Sequence, residues 1–159
     1  MRTLLITAVL AIVAAVGGAP YAAAAGPDPV VGTWQLNVSK STFTAGQAIK
    51  SQTRTYSQSG GTITLDMKTV GADGKASTTH TSYQFDGKDA PVTGNPDYDT
   101  LSPKQVDSNT AEFTLKKGGK VVGTTSRNVS KDGGTLTSKT KITTATGEKS
   151  ENVLVFDKK

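Results

Sequence analysis

Along most of this chain, apolar and polar residues take turns one by one. Positions 62–70 show it most cleanly: Ile63, Leu65 and Met67 fall on one side, and Thr64, Asp66 and Lys68 on the other. A period of two places successive side chains on opposite faces of a strand, so this pattern predicts a sheet with one face buried. The same alternation returns at 111–116, where Ala111, Phe113 and Leu115 oppose Glu112, Thr114 and Lys116. Further strands are expected at 31–38, 50–58, 77–85, 121–130, 136–144 and 150–157, with short ones near 90–93 and 100–106. Turn dipeptides punctuate the pattern: "SGG", "GADGK", Asp86-Gly87, Gly118-Gly119, "KDGG" and "ATGE". Thr, Ser and Val dominate the intervening runs, and branched side chains suit a pleated surface. No stretch after residue 25 carries an apolar 3.6-residue period of useful length.

About eight to ten strands joined by tight turns describe an up-and-down meander. A long meander with no helix to cover it would leave two exposed edges, and closure into a barrel removes them. The expected fold is therefore all-β, a single antiparallel up-and-down β-barrel. A two-sheet sandwich is the other arrangement that hairpins of this kind allow.

The chain begins differently. Arg2 precedes an apolar run at 4–16, and "AAAA" before Gly26 supplies an A-x-A cleavage site. This is the pattern of a secretory signal peptide, too short and wrongly flanked to span a membrane. The expected organisation is a signal peptide at 1–25 and a barrel domain at 26–159, placing the protein in the periplasm or outside the cell. No later run is apolar for long enough to form a spanning helix.

Composition narrows the function classes. The chain has no Cys, which removes disulfides, thiol nucleophiles and thiolate metal sites. The formal net charge is +5, but the basic residues are scattered along strands and turns. Without a basic cluster, nucleic acid is not an expected partner. Only 35% of residues are hydrophobic, and many of those lie in the first 25. Inward strand positions frequently carry Thr, Ser, Gln or Tyr, so the barrel is expected to enclose a cavity instead of filling its interior tightly.

The stretch "GTWQLNVSKSTF" resembles the first-strand G-x-W signature of lipocalins and related calycin barrels, with Gly32 and Trp34 in the motif positions. The resemblance implies that Trp34 closes the barrel base and that a late arginine, here Arg127, packs across its ring. The turn motif that follows in lipocalins has no counterpart, since "PDYDT" is a different arrangement. Residues 26–159 as a whole resemble small exported bacterial lipocalin-like proteins, through "DGKDAPVTGNPDYDT" and "KKGGKVVGTTSRNVSKDGGTLT".

Arg54 and Arg127 are the only arginines after Arg2, against fifteen lysines. Both fall mid-strand. Arg54 shares a face with Gln52 and Tyr56; Arg127 shares one with Val121, Gly123, Thr125 and Val129. An inward guanidinium must be paired or hydrogen-bonded. Two inward arginines beside Tyr56 and Tyr83 would suit a ligand carboxylate. The alternatives are an exposed Arg54 and an Arg127 that stacks on Trp34. The candidate ligand-binding set is Arg54, Tyr56, Met67, Tyr83, Phe85, Phe113 and Arg127.

His80, the single histidine, falls on the face opposite Tyr83 and Phe85 and should meet solvent. It lacks partners for a zinc site or a catalytic triad. Asp66 and Glu112 are also expected outward. Asp86, Asp89, Asp97 and Asp99 read as turn chemistry, without the spacing of a calcium loop. No metal, cofactor or catalytic residue is expected. The expected function is a carrier or sequestering barrel for a small apolar or amphipathic ligand, not an enzyme. The alternative is a structural or protein-interaction module with a filled barrel.

Overall fold

The computed structural model describes residues 26–44 and 47–159. The expected signal peptide, 1–25, lies outside the described residues. Ten strands follow one another: β1 (Gly32–Leu36), β2 (Ile49–Ser59), β3 (Thr62–Gly71), β4 (Ala76–Tyr83), β5 (Ala90–Thr93), β6 (Thr100–Gln105), β7 (Thr110–Lys117), β8 (Lys120–Val129), β9 (Thr135–Thr143) and β10 (Lys149–Lys158). Each pairs antiparallel with its sequence neighbours, and β1 pairs with β10, so the sheet closes into a barrel. The only helical element among the described residues is a short 3-10 turn, Val38–Lys40.

The turn residues act as their chemistry requires. Gly118 and Gly119 both have positive φ, 55° and 79°, which joins β7 to β8 in the mirror-image turn that matches strand twist. Asp73, Asp107 and Asp132 each accept a backbone N–H two residues on, from Lys75, Asn109 and Gly134.

Two expected details are corrected. The first strand stops at Leu36 instead of 38, because the Asn37 side chain accepts from Lys40 N–H and caps the 3-10 turn. Val121 does not share the face of Arg127. The register runs Leu115↔Gly123 and then Lys116↔Val121, so Val122 is an extra residue in β8. This bulge reverses the alternation and leaves Val121 64% exposed.

One end of the barrel is closed. Val30, Trp34, Leu136 and Phe156 are fully buried there, and Trp34 Nε1 donates to Val30 O at 2.7 Å. The segment before β1 folds under this end: Val30 N donates to Asp28 Oδ1 at 2.9 Å, and Asp28 N to Gln58 Oε1 at 2.7 Å. The opposite end carries the Gly94–Asp99 and 144–148 connections and is more open.

Candidate functional site

The inward faces enclose a chamber of about 80 Å³ at mid-barrel, walled by Tyr56, Leu65, Tyr83, Leu101, Phe113 and Leu115 among others. Toward the open end lies a second, wider space of about 350 Å³. Arg54, Met67, Thr79, Tyr98 and Thr140 border both, so they form the neck between them. Alternation puts them there: β2 turns Gln52, Arg54 and Tyr56 inward, and β3 turns Leu65 and Met67 inward.

Six of the seven sequence-predicted ligand residues border the inner chamber: Arg54, Tyr56, Met67, Tyr83, Phe113 and Arg127. Phe85 does not. β4 ends at Tyr83, and Phe85 packs edge-on against the Tyr83 ring at 5.7 Å, behind the chamber wall. Tyr83 also meets Phe113 edge-on at 5.2 Å. His80, Asp66 and Glu112 face solvent, and His80 Nδ1 lies 2.8 Å from Asp66 Oδ1 on the outer surface.

The two arginines are in different circumstances. Arg127 forms an ion pair with Asp28, Nη2 to Oδ2 at 2.5 Å, with both side chains at most one-tenth exposed. Its guanidinium lies 5.7 Å from the Tyr56 ring and 5.9 Å from those of Phe85 and Phe113. The expected stacking of Arg127 on Trp34 is therefore not formed. The Asp28 carboxylate holds Arg127 on the chamber side, and Lys158 takes the place over Trp34, with Nζ 5.1 Å from the ring centroid. Gly32 makes room for that side chain: a Cβ there would sit 2.9 Å from Lys158 Cε.

Arg54 is inside the barrel, not exposed on its outer face. It lies 4.4 Å above the Phe156 ring and donates from Nε to Gln52 Oε1 at 2.8 Å. Gln52 in turn donates to Thr69 Oγ1 at 2.8 Å. No carboxylate lies within ion-pair distance of Arg54 among the described residues.

Tyr98 reaches the neck from the Gly94–Asp99 connection. Asn95 Oδ1 accepts from Asp97 N at 2.9 Å, Asp97 Oδ1 accepts from Ala145 N at 2.9 Å, and Asp99 Oδ2 accepts from Gly118 N at 3.0 Å. Asp97 thereby fastens this connection across the open end. Burial pushes the Tyr98 phenol above its usual range, with Arg54 opposing the shift. Burial likewise raises Tyr83, with Arg127 opposing it. Both phenols are neutral hydrogen-bonding groups at ordinary pH. Asp89 pairs with Lys116 at 2.7 Å, and Asp86 lies 3.7 Å from Lys88, so the aspartates of this region serve turns and surface pairs.

Sequence reasoning missed Asp28 and Tyr98. Asp28 falls next to the expected cleavage site, where a linker is the default reading. Its signal was indirect: a buried Arg127 demands an acid. Tyr98 is the one aromatic residue of "GNPDYDT", and a large apolar ring in a polar connection seeks the interior.

No family model matches the chain, and no curated protein matches it. Among solved structures, EF1p2_mFAP2b bound to DFHBI is similar in fold. Its TM-score is 0.51 at 11% sequence identity, over 82% of this chain and 94% of that one. The likeness and the closed ten-strand antiparallel barrel fit a lipocalin- or calycin-like fold.

Proposed function

We propose that this protein is an exported carrier or sequestering barrel that binds a small amphipathic molecule in its interior. The apolar part occupies the inner chamber, and a polar or anionic group rests at the neck on Arg54. Arg54 carries this reading: it is a guanidinium inside the barrel, stacked on Phe156, with no acidic partner among the described residues. Its free N–H groups suit a carboxylate, which accepts two parallel hydrogen bonds from such a fork. The similar barrel was solved bound to DFHBI, which supports ligand binding on this fold. The reading is of a binder, not an enzyme.

The inner chamber's small volume, about 80 Å³, favours a second reading, a structural or interaction module with no ligand. Native mass spectrometry of the exported protein, beside the denatured mass, separates the two. Carriage predicts extra mass that is lost on denaturation and is depleted in Arg54→Gln. A bare mass in the wild type, unchanged after incubation with mixed fatty and aromatic acids, would support the filled module.

A further inference from the structure

At the closed end of the inner chamber, two buried polar atoms have no hydrogen-bond partner among the described residues: Tyr83 OH and Arg127 Nη1. Their residues border the same chamber. The Arg127 nitrogen can only donate, and the Tyr83 hydroxyl can donate as well. Two buried donors left unpaired on residues that line one chamber call for an acceptor.

Charge decides what kind. Asp28 already neutralises Arg127 through the buried ion pair, so this end of the chamber carries no net charge. A full anion brought here would meet the Asp28 carboxylate behind the guanidinium and would lose its own hydration. A neutral oxygen meets two donors and gives up little water. Aromatic rings surround the Arg127 guanidinium, from Tyr56 and Phe113 of the chamber wall and from Phe85 behind it, and the Tyr83 ring packs on Phe85 and Phe113. The neck differs, because Arg54 there is a cation without an acid among the described residues.

We propose that the closed end is a subsite for a neutral carbonyl oxygen, held between Tyr83 OH and Arg127 Nη1, so that the ligand is an apolar carbonyl compound inserted oxygen first. This rests on the reading of the interior as a ligand site, and adds which end of the ligand goes in and what chemistry it bears.

Small probes of one shape test it. Cyclopentanone and methylenecyclopentane differ in having C=O or C=CH2, and cyclopentanecarboxylate supplies the anion. Binding is followed by NMR chemical-shift titration of the exported protein and of Tyr83→Phe. That variant deletes only a hydroxyl without a partner, so its thermal midpoint serves as the folding control. The expected result is that the ketone binds about tenfold or more tighter than the hydrocarbon, and that Tyr83→Phe largely erases this preference. Equal binding of ketone and hydrocarbon would overturn the subsite while leaving the interior as an apolar site. So would a ketone preference that Tyr83→Phe leaves intact, or tighter binding of the carboxylate that depends on Tyr83. If no probe shifts any interior resonance, the ligand-binding reading itself fails, and the subsite with it.

Discussion

Single residues in the interior divide by whether their charge is answered. Arg127 is answered by Asp28, and removing the acid alone would strand a buried guanidinium. Breaking one side of such a pair is typically worth about 3–5 kcal/mol. Asp28→Asn should therefore lower the denaturant midpoint strongly without changing the slope, as read by urea unfolding followed through Trp34 fluorescence. Arg54→Gln should be mild by the same measure, because Arg54 has no acid to leave behind and Gln52 can bond the new amide. The sequence made both arginines visible, since two mid-strand arginines among fifteen lysines are conspicuous. It did not show which would face Trp34. The closed end was decided by a third cation, Lys158, near the far terminus, and by an aspartate outside any strand. Contacts of that kind join positions far apart in the chain, 99 for Asp28 with Arg127 and more for Trp34 with Lys158, and no local pattern encodes them.

Among the elements, strands of strict alternation were legible almost to the residue. Positions 62–70 became β3, Thr62–Gly71, and 90–93 became β5, Ala90–Thr93. The misplacement of Val121 came from one inserted residue, which leaves composition and hydrophobicity unchanged and alters only parity. The β5 region is the thinnest part of the wall: it pairs with β4 at His80↔Thr93 and Thr81↔Val92, and with β6 at Ala90↔Leu101 and Pro91↔Thr100. Gly94 seats the connection that follows against this wall. Its φ is +76°, and a Cβ would lie 1.9 Å from Thr78 O. Gly94→Ala should lift the connection and withdraw Tyr98 from the neck, at a cost of about 1–3 kcal/mol. Alkaline ultraviolet titration reads this directly: one further tyrosine should ionise near its ordinary pKa in the variant, while in the wild type it stays protonated.

For the whole molecule, the two ends of the pH scale act through different groups. Asp73, Asp99 and Asp107 are held below the usual carboxylate range by backbone N–H groups of Lys75, Gly118 and Asn109, and Asp157 by the Asn37 amide. A depressed folded pKa gives stability that is present above the unfolded value and lost as pH falls through the folded one. Tyr83 and Tyr98 are raised, so their contribution is present below about pH 10 and lost as pH rises beyond it. The thermal midpoint should thus be flat from about pH 5 to 9 and fall on both sides. A sloping midpoint across that plateau would contradict these assignments. Closure of the barrel was legible only as an argument about unpaired edges; the strand pair that achieves it could not be read from any hairpin. That pair, β1 with β10, has a consequence in time. A growing chain makes β1 first and its partner last, with Trp34 aligned to Lys158. Until the final strand is synthesised, β1 has one side open and Trp34 has no Lys158 over its ring. Eight strands can zip up in sequence behind β1, but the ring cannot shut before β10 emerges. Pairings so distant in sequence form slowly, so the half-made chain spends its longest interval with two bare edges, when it is most open to pairing with another copy of itself.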